Sequence, residues 1–333
     1  MYRSPGNALI RVTVFPILLL FWQYYFGTDI PLLGPALCAV FLCTSLEPPP
    51  LIMVLLMSGV LFATAWTQAV ISNILYDVPI VYYIAIFVVF YWCMVRIKEN
   101  PQDLIATLLI VSTSMVAVFS RQKGIDVSDI PWALLKNILI AGFTAYLGYL
   151  LVPGGSAIAP PSETVDRQAT HTRVWHLLLK ALVATLTLII SINLNLAQST
   201  IITVVVALVI KDPDPNIGHN YGVRRLLVTY AGFLYALPIL AVNLLHTNLF
   251  GQLAVTVIFS LLMGIDAVSK KVSYNSLQLL FSGFVVLIFY GLTQSSDNAF
   301  MQDMVRFFSI LAAVFIGTLA LIILEPSSKS KTE

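Results

Sequence analysis

Charge is scarce in this sequence. Only 10% of its 333 residues are Asp, Glu, Lys or Arg, while 59% are hydrophobic. Soluble domains carry about a quarter charged residues, so an ordinary soluble fold is excluded. Cysteine is scarce too. Cys38, Cys43 and Cys93 all lie inside apolar runs. They show neither metal-ligand spacing nor a disulfide framework, and read as small buried hydrophobes. His171, His176, His219 and His246 stand at loops or helix ends without an i, i+4 pair, so no metal site is expected. A Gly-rich phosphate loop ending in Gly-Lys-Ser/Thr is missing, which argues against an ATP-driven pump. Ser and Cys nucleophile patterns are absent, so the chain does not read as an enzyme, and no cofactor is implied. A net charge of +2 argues against a nucleic-acid partner.

What the sequence does have is length of apolar run. Segments of about 20 residues, enough to cross hydrocarbon, recur from end to end. Barrel strands would be about ten residues of alternating polarity, so an all-α polytopic membrane protein is expected. We place about twelve spans: Ala8 to Gly27, Ile30 to Leu46, Leu51 to Ile71, Val81 to Val95, one after Asn100-Pro101 ending near Ser120, Ile130 to Val152, Val174 to Asn195, Ala197 to Ile210, Leu226 to Leu245, Leu249 to Ile265, Leu277 to Leu292, and Phe307 to Leu324. No small-residue cleavage site follows the first run, so it reads as a membrane helix rather than a signal peptide.

The chain divides into two halves. Residues 1–153 form a first six-helix repeat, 154–173 a polar cytoplasmic linker, 174–326 a second repeat and 327–333 a cytoplasmic tail. Laying Pro48 on Pro213 brings Pro50 onto Pro215. A shift of about eight residues then aligns Gly59 with Gly232, Ala63 with Ala236, Lys98 with Lys271 and Pro153 with Pro326. Six spans per half give both halves one orientation, about an axis along the membrane normal. With a cytoplasmic N-terminus, the inner side receives all Lys and Arg except Arg121, Lys123, Lys136 and Arg306. That bias places both termini in the cytoplasm.

Charge at membrane depth is costly unless it faces a cavity or a partner, so the few such residues are functional candidates. The stretch from Gln198 to Ala236 holds most of them. Arg224 and Arg225 follow a Lys211-Asp212-Pro213-Asp214-Pro215 turn, whereas Leu51 and Ile52 occupy the matching first-half positions. A guanidinium is permanently charged and forks onto a carboxylate. Arg224, Arg225, Lys136 and Arg11 are therefore candidates for substrate binding or gating. Asp212, Asp214, Glu47 and Asp266 are candidates for proton coupling, should burial raise their pKa values. For each, an interfacial anchor is the alternative role; Lys136, about two turns inside its helix, can snorkel outward. Ile30–Leu46 and Ala197–Ile210 are short or Pro/Gly-interrupted and hold matching places in the two halves, which points to a transporter site. Trp22, Tyr24, Tyr25, Tyr82, Tyr83 and Trp92 suit interfacial belts.

One unit carries a family resemblance: Thr203-Val-Val-Val-Ala-Leu-Val-Ile-Lys-Asp-Pro-Asp-Pro, then Arg225-Leu226, then Ala231-Gly232. The first copy keeps Pro48 to Pro50 and Gly59 but lacks the arginine. With two six-helix halves, the chain resembles the fusaric acid resistance and aromatic acid exporter superfamily, in its compact bacterial branch without the large cytoplasmic domain. The resemblance implies an inner-membrane efflux component for small organic, aromatic or amphipathic anions. It also implies a periplasmic adaptor of the membrane-fusion type; proton coupling and a homo-oligomer are further expectations. A passive anion channel, a major-facilitator-type carrier and a non-transporting membrane scaffold stay open as alternatives.

Overall fold

A computed structural model describes residues 6–27, 33–44, 48, 50–100, 103–121, 127–155, 174–196, 198–211, 215–244, 248–270, 272–293 and 296–324. Among these there are twelve helices and no strand. They are α1 (Asn7–Phe26), α2 (Leu33–Thr44), α3 (Leu51–Ile74), α4 (Pro79–Glu99), α5 (Leu104–Arg121), α6 (Ile130–Leu151), α7 (Val174–Asn193), α8 (Ser199–Ile210), α9 (Pro215–Leu244), α10 (Leu249–Ser269), α11 (Tyr274–Thr293) and α12 (Ser296–Leu324).

Seven of the helices are long and apolar enough to cross a bilayer, and among the described residues the other five hold shorter apolar stretches of 10 to 17 residues. Their faces are arranged as a membrane requires. On α4, Ile80, Ile84, Val88 and Trp92 are exposed at four-residue spacing, while Tyr82, Ile86, Phe90, Cys93, Met94 and Ile97 are buried. A helix apolar on every side has no face suited to water. α10 is nearly inverted, with Met263 as its one large buried apolar side chain. Thr256, Ser260, Gly264 and Ala267 point inward, and Phe250, Ile258, Leu262 and Ile265 point outward. Small and hydroxyl side chains at helix contacts are what lipid favours, because it supplies no hydrophobic drive between helices. The Ser260 hydroxyl donates to the Thr13 carbonyl of α1 at 3.0 Å. The chain is thus a multi-pass membrane protein.

Two compact units divide the chain, and their boundaries are not those of the sequence halves. The first takes residues 1–59, 132–165 and 227–307; the second takes 60–131, 166–226 and 308–333. In the first, α1 packs on α2, α10 and α11, and α2 packs on α11. In the second, α7 packs on α8, α4 and α5, and α8 packs on α5. Moving every helix six places along the chain converts these four pairs of the first unit into the four of the second; the second unit also packs α4 on α5. Lengths agree in three of the six pairs: α1 and α7 have 20 residues, α2 and α8 have 12, and α4 and α10 have 21; the other three pairs differ. α1 ends at Gly27 with φ 65°, and α7 is followed by Asn195 with φ 50°. Glycine and asparagine are the residues that best accept this left-handed conformation after a helix.

The ninth helix begins at Pro215 rather than near Leu226, so the expected polar connector is helical. Proline is at home in a first turn, where its missing N–H has no intrahelical role. Polarity hid the helix, but its packing depends on two glycines on one face, Gly218 and Gly222. A Cβ on Gly222 would meet Val314 Cγ1 at 2.8 Å, and one on Gly317 of α12 would meet Val209 Cγ1 at 2.8 Å. α8, the start of α9 and α12 therefore meet around Val209 of α8. The twelfth helix likewise starts earlier than expected, at Ser296.

Candidate functional site

Of the eight candidates, Arg11 alone is deeply buried within the described residues. It lies in the second turn of α1 and has no solvent exposure. α6 ends at Leu151, and the chain then passes the arginine through Gly154 and Gly155, whose φ values are 81° and 118°. These are backbone conformations that side chains resist. At Gly155 a Cβ would stand 2.7 Å from the Ala8 backbone nitrogen, so only glycine lets this strand of chain lie against α1. The Asn7 amide secures it by donating to the Pro153 carbonyl at 2.7 Å.

Arg11 Nη1 donates to the carbonyls of Val152 at 2.6 Å and Gly154 at 2.5 Å. These carbonyls prolong the negative end of the α6 dipole, where a cation is favoured. The guanidinium carbon stands 4.3 Å from the Tyr149 ring centroid, a cation–π distance. Nε and Nη2 are buried and have no hydrogen-bond partner among the described residues. No acidic side chain pairs with Arg11 among the described residues.

A second polar cluster occupies the other end of the α1–α6 seam. Asn137 Nδ2 donates to the Ala133 carbonyl at 2.8 Å, so its Oδ1 faces the start of α2. There Oδ1 accepts from the Gly34 amide at 3.2 Å and from Gln23 Nε2 at 3.3 Å. Gln23 is fully buried, and its Oε1 has no partner among the described residues. Between the two clusters, Phe15 of α1 packs at Gly148 of α6.

The remaining candidates lie elsewhere. Lys136 is exposed on α6, and it is its neighbour Asn137 that points inward. Asp266 is paired with Lys270 at 2.8 Å near the end of α10 and also receives the Tyr235 hydroxyl. Arg224 is exposed and makes no hydrogen bond or ion pair among the described residues, while Arg225 reaches Tyr221 Oη at 3.4 Å. Glu47, Asp212 and Asp214 lie outside the described residues.

Residues 9–147 match the model of a family described as a protein of unknown function (DUF2955). The match covers less than half of the chain. It starts in α1 before Arg11 and stops inside α6, so it coincides with the first six helices. No curated protein and no solved structure matches the chain.

Sequence reasoning missed two further groups. Gln23 and Asn137 were visible as amides inside apolar runs, a costly choice in hydrocarbon. Asp103 was not singled out. It caps α5, with Oδ1 accepting from the Ile105 amide at 2.9 Å and the Ala106 amide at 3.3 Å. Its Oδ2 takes Arg96 Nε at 2.8 Å and Nη2 at 2.7 Å. Burial alone would raise this carboxyl; the Arg96 hydrogen bond and the two amides outweigh it and hold Asp103 below its ordinary value.

Proposed function

We propose that this protein is a multi-pass transporter that exports a small organic anion across the bacterial inner membrane, with Arg11 as its anion contact. The observation that carries the reading is a wholly buried guanidinium that, among the described residues, has no carboxylate partner in an apolar helix bundle. Inserting an arginine at the centre of a membrane helix costs about 2.5 to 3.5 kcal/mol even on the most lenient scale, and less toward a helix end, where Arg11 stands in the second turn of α1. Two carbonyls and one ring compensate part of that cost, and an arriving anion would compensate more. The binding role thus passes to Arg11 from the more exposed Arg224 and Arg225.

In this reading the two halves are repeats whose helices are exchanged between the compact units. The shared pairing rule, the equal lengths of three helix pairs and the matching positive-φ residues support it. The family match over the first six helices agrees with a half as the repeating element.

Transport tests the proposal. Purified protein in liposomes, loaded with labelled benzoate or acetate, is expected to release the anion faster than empty liposomes. Arg11→Gln should abolish most of that flux. Equal flux from the Arg11→Gln protein, at equal reconstitution, would remove Arg11 from the mechanism. Flux indifferent to a proton ionophore would remove proton coupling.

A further inference from the structure

We infer that the Nε/Nη2 edge of Arg11 is a docking position for an oxyanion that offers two oxygens, of the carboxylate or phosphate type. This deepens the transport reading and rests on it. A guanidinium has two kinds of edge. Nη1 and Nη2 form the end, while Nε and Nη2 form the side, and the side is one of the geometries that holds a carboxylate in a fork. The chain itself contains a related arrangement. Arg96 turns this same side edge to Asp103, where a single oxygen, Oδ2, takes both Nε at 2.8 Å and Nη2 at 2.7 Å while Oδ1 is engaged by the Ile105 and Ala106 amides.

In Arg11 the side edge is buried and, among the described residues, unfilled. The rest of the group is already committed: Nη1 holds two carbonyls, and Tyr149 covers a face. The edge that remains is therefore oriented, not merely available. A buried donor without a partner is uncommon in folded proteins, and two adjacent donors on one cation specify what should meet them. Both must be accepted at once, by a group carrying negative charge.

A purely structural role looks different, and the chain shows that too. Arg121 at the end of α5 also clamps the end of a helix and lies near tyrosines. Its Nη1 donates to the Tyr76 carbonyl at 2.6 Å and its Nη2 to the Leu75 carbonyl at 2.9 Å. That clamp employs both terminal nitrogens and leaves Nε alone without a partner. Arg11 makes its whole clamp with Nη1. One lysine ammonium, with three donors, satisfies two carbonyls as well. The clamp therefore does not call for arginine, whereas the side edge does.

The test compares binding of four probes to the wild-type protein in nanodiscs of zwitterionic phosphatidylcholine. Acetate, benzoate, inorganic phosphate and chloride are titrated at constant ionic strength, and the thermal midpoint is followed. Acetate, benzoate or phosphate should raise it in a saturable way, as ligands of a native state do, and chloride should not. Arg11→Lys keeps the charge and the clamp but loses the fork. It should bind the same oxyanions at least about tenfold more weakly, as expected from losing one charge-assisted hydrogen bond. Saturation already present in nanodiscs of anionic phosphatidylglycerol, and absent in phosphatidylcholine, would assign the oxyanion to a lipid headgroup. Chloride acting as well as acetate, or Arg11→Lys binding as tightly as wild type, overturns the fork while leaving anion transport standing. No response to any of the four probes in either lipid overturns both.

Discussion

Replacing Gly218 by alanine should destabilise the protein, although alanine is the better helix former. The added Cβ would fall on the Val209 carbonyl oxygen and stand 2.8 Å from Leu321 Cδ1. The leucine can rotate away. The carbonyl belongs to the backbone of α8 one residue before that helix ends, so α9 itself must move outward. Overpacking of this kind costs about 1 to 3 kcal/mol, whereas helix propensity favours alanine over glycine by about 1 kcal/mol. The net expectation is a loss of about 0 to 2 kcal/mol. Two internal controls sharpen it. At Gly59 and Gly283 a Cβ would meet nothing within 4 Å, so alanine there should be neutral or stabilising by up to about 1 kcal/mol. Reversible unfolding in mixed micelles measures all three variants against one baseline. If Gly218→Ala is as stable as Gly59→Ala, the close approach around Val209 is not part of the native packing.

Three further outcomes are expected. Asn137→Ala leaves the Gly34 amide and the Gln23 amide group without their acceptor, and should cost about 1 to 3 kcal/mol in the same unfolding assay. Asp103 has a lowered pKa in the fold. Its contribution is therefore fully present above the unfolded value of about 3.9 and lost as pH falls through the lower folded value. Hydrogen exchange at the start of α5 should accelerate in that acid window in the wild type, while Asp103→Asn should exchange fast already at neutral pH. Finally, each compact unit draws helices from both halves. Residues 1–165 or 166–333 expressed alone should be protease-sensitive in membranes, and co-expression should restore resistance.

Much of this architecture is legible from residue spacing, and the exceptions have physical causes. Long apolar runs announce their helices, because a span needs about 20 such residues. The start of α9 is obscured because helices are recognised by apolar periodicity, and Gly218 and Gly222 contribute a contact face without contributing hydrophobicity. The glycines that do recur between the halves are misleading in the opposite sense. Gly59 faces open space, and at Gly232 a Cβ would find only ordinary contacts from 3.7 Å upward. Recurrence therefore did not indicate close packing here. Arg11 stands apart from the other candidates only in three dimensions, since its acceptors lie 141 and 143 residues further along the chain.

The short helices explain where the buried polar groups sit. α2 and α8 have 12 residues each, or about 18 Å at 1.5 Å per residue, well below the roughly 30 Å of hydrocarbon. A helix that short leaves an end inside the bilayer, and the first amides of that end have no intrahelical acceptor. Lipid cannot supply one, so protein must. For α2 the acceptor is Asn137 Oδ1, which takes the Gly34 amide, with Gln23 bracing it from α1. For α8 the acceptor is the Leu196 carbonyl, which takes the Ser199 amide at 3.2 Å, while the Ser199 hydroxyl covers carbonyls at and just after the end of α7, donating to Ser191 at 2.9 Å and Leu196 at 2.6 Å. Each short helix also lies on a helix from the opposite half, α2 on α11 and α8 on α5. The exchange of helices thus follows from a backbone requirement: a broken span must be covered by protein. Arg11 does not belong to this set. It serves the end of a full-length helix, α6, with one nitrogen, and its side edge satisfies no backbone group at all. The requirement that accounts for Asn137, Gln23 and Ser199 leaves that edge unexplained, and a ligand is what it calls for.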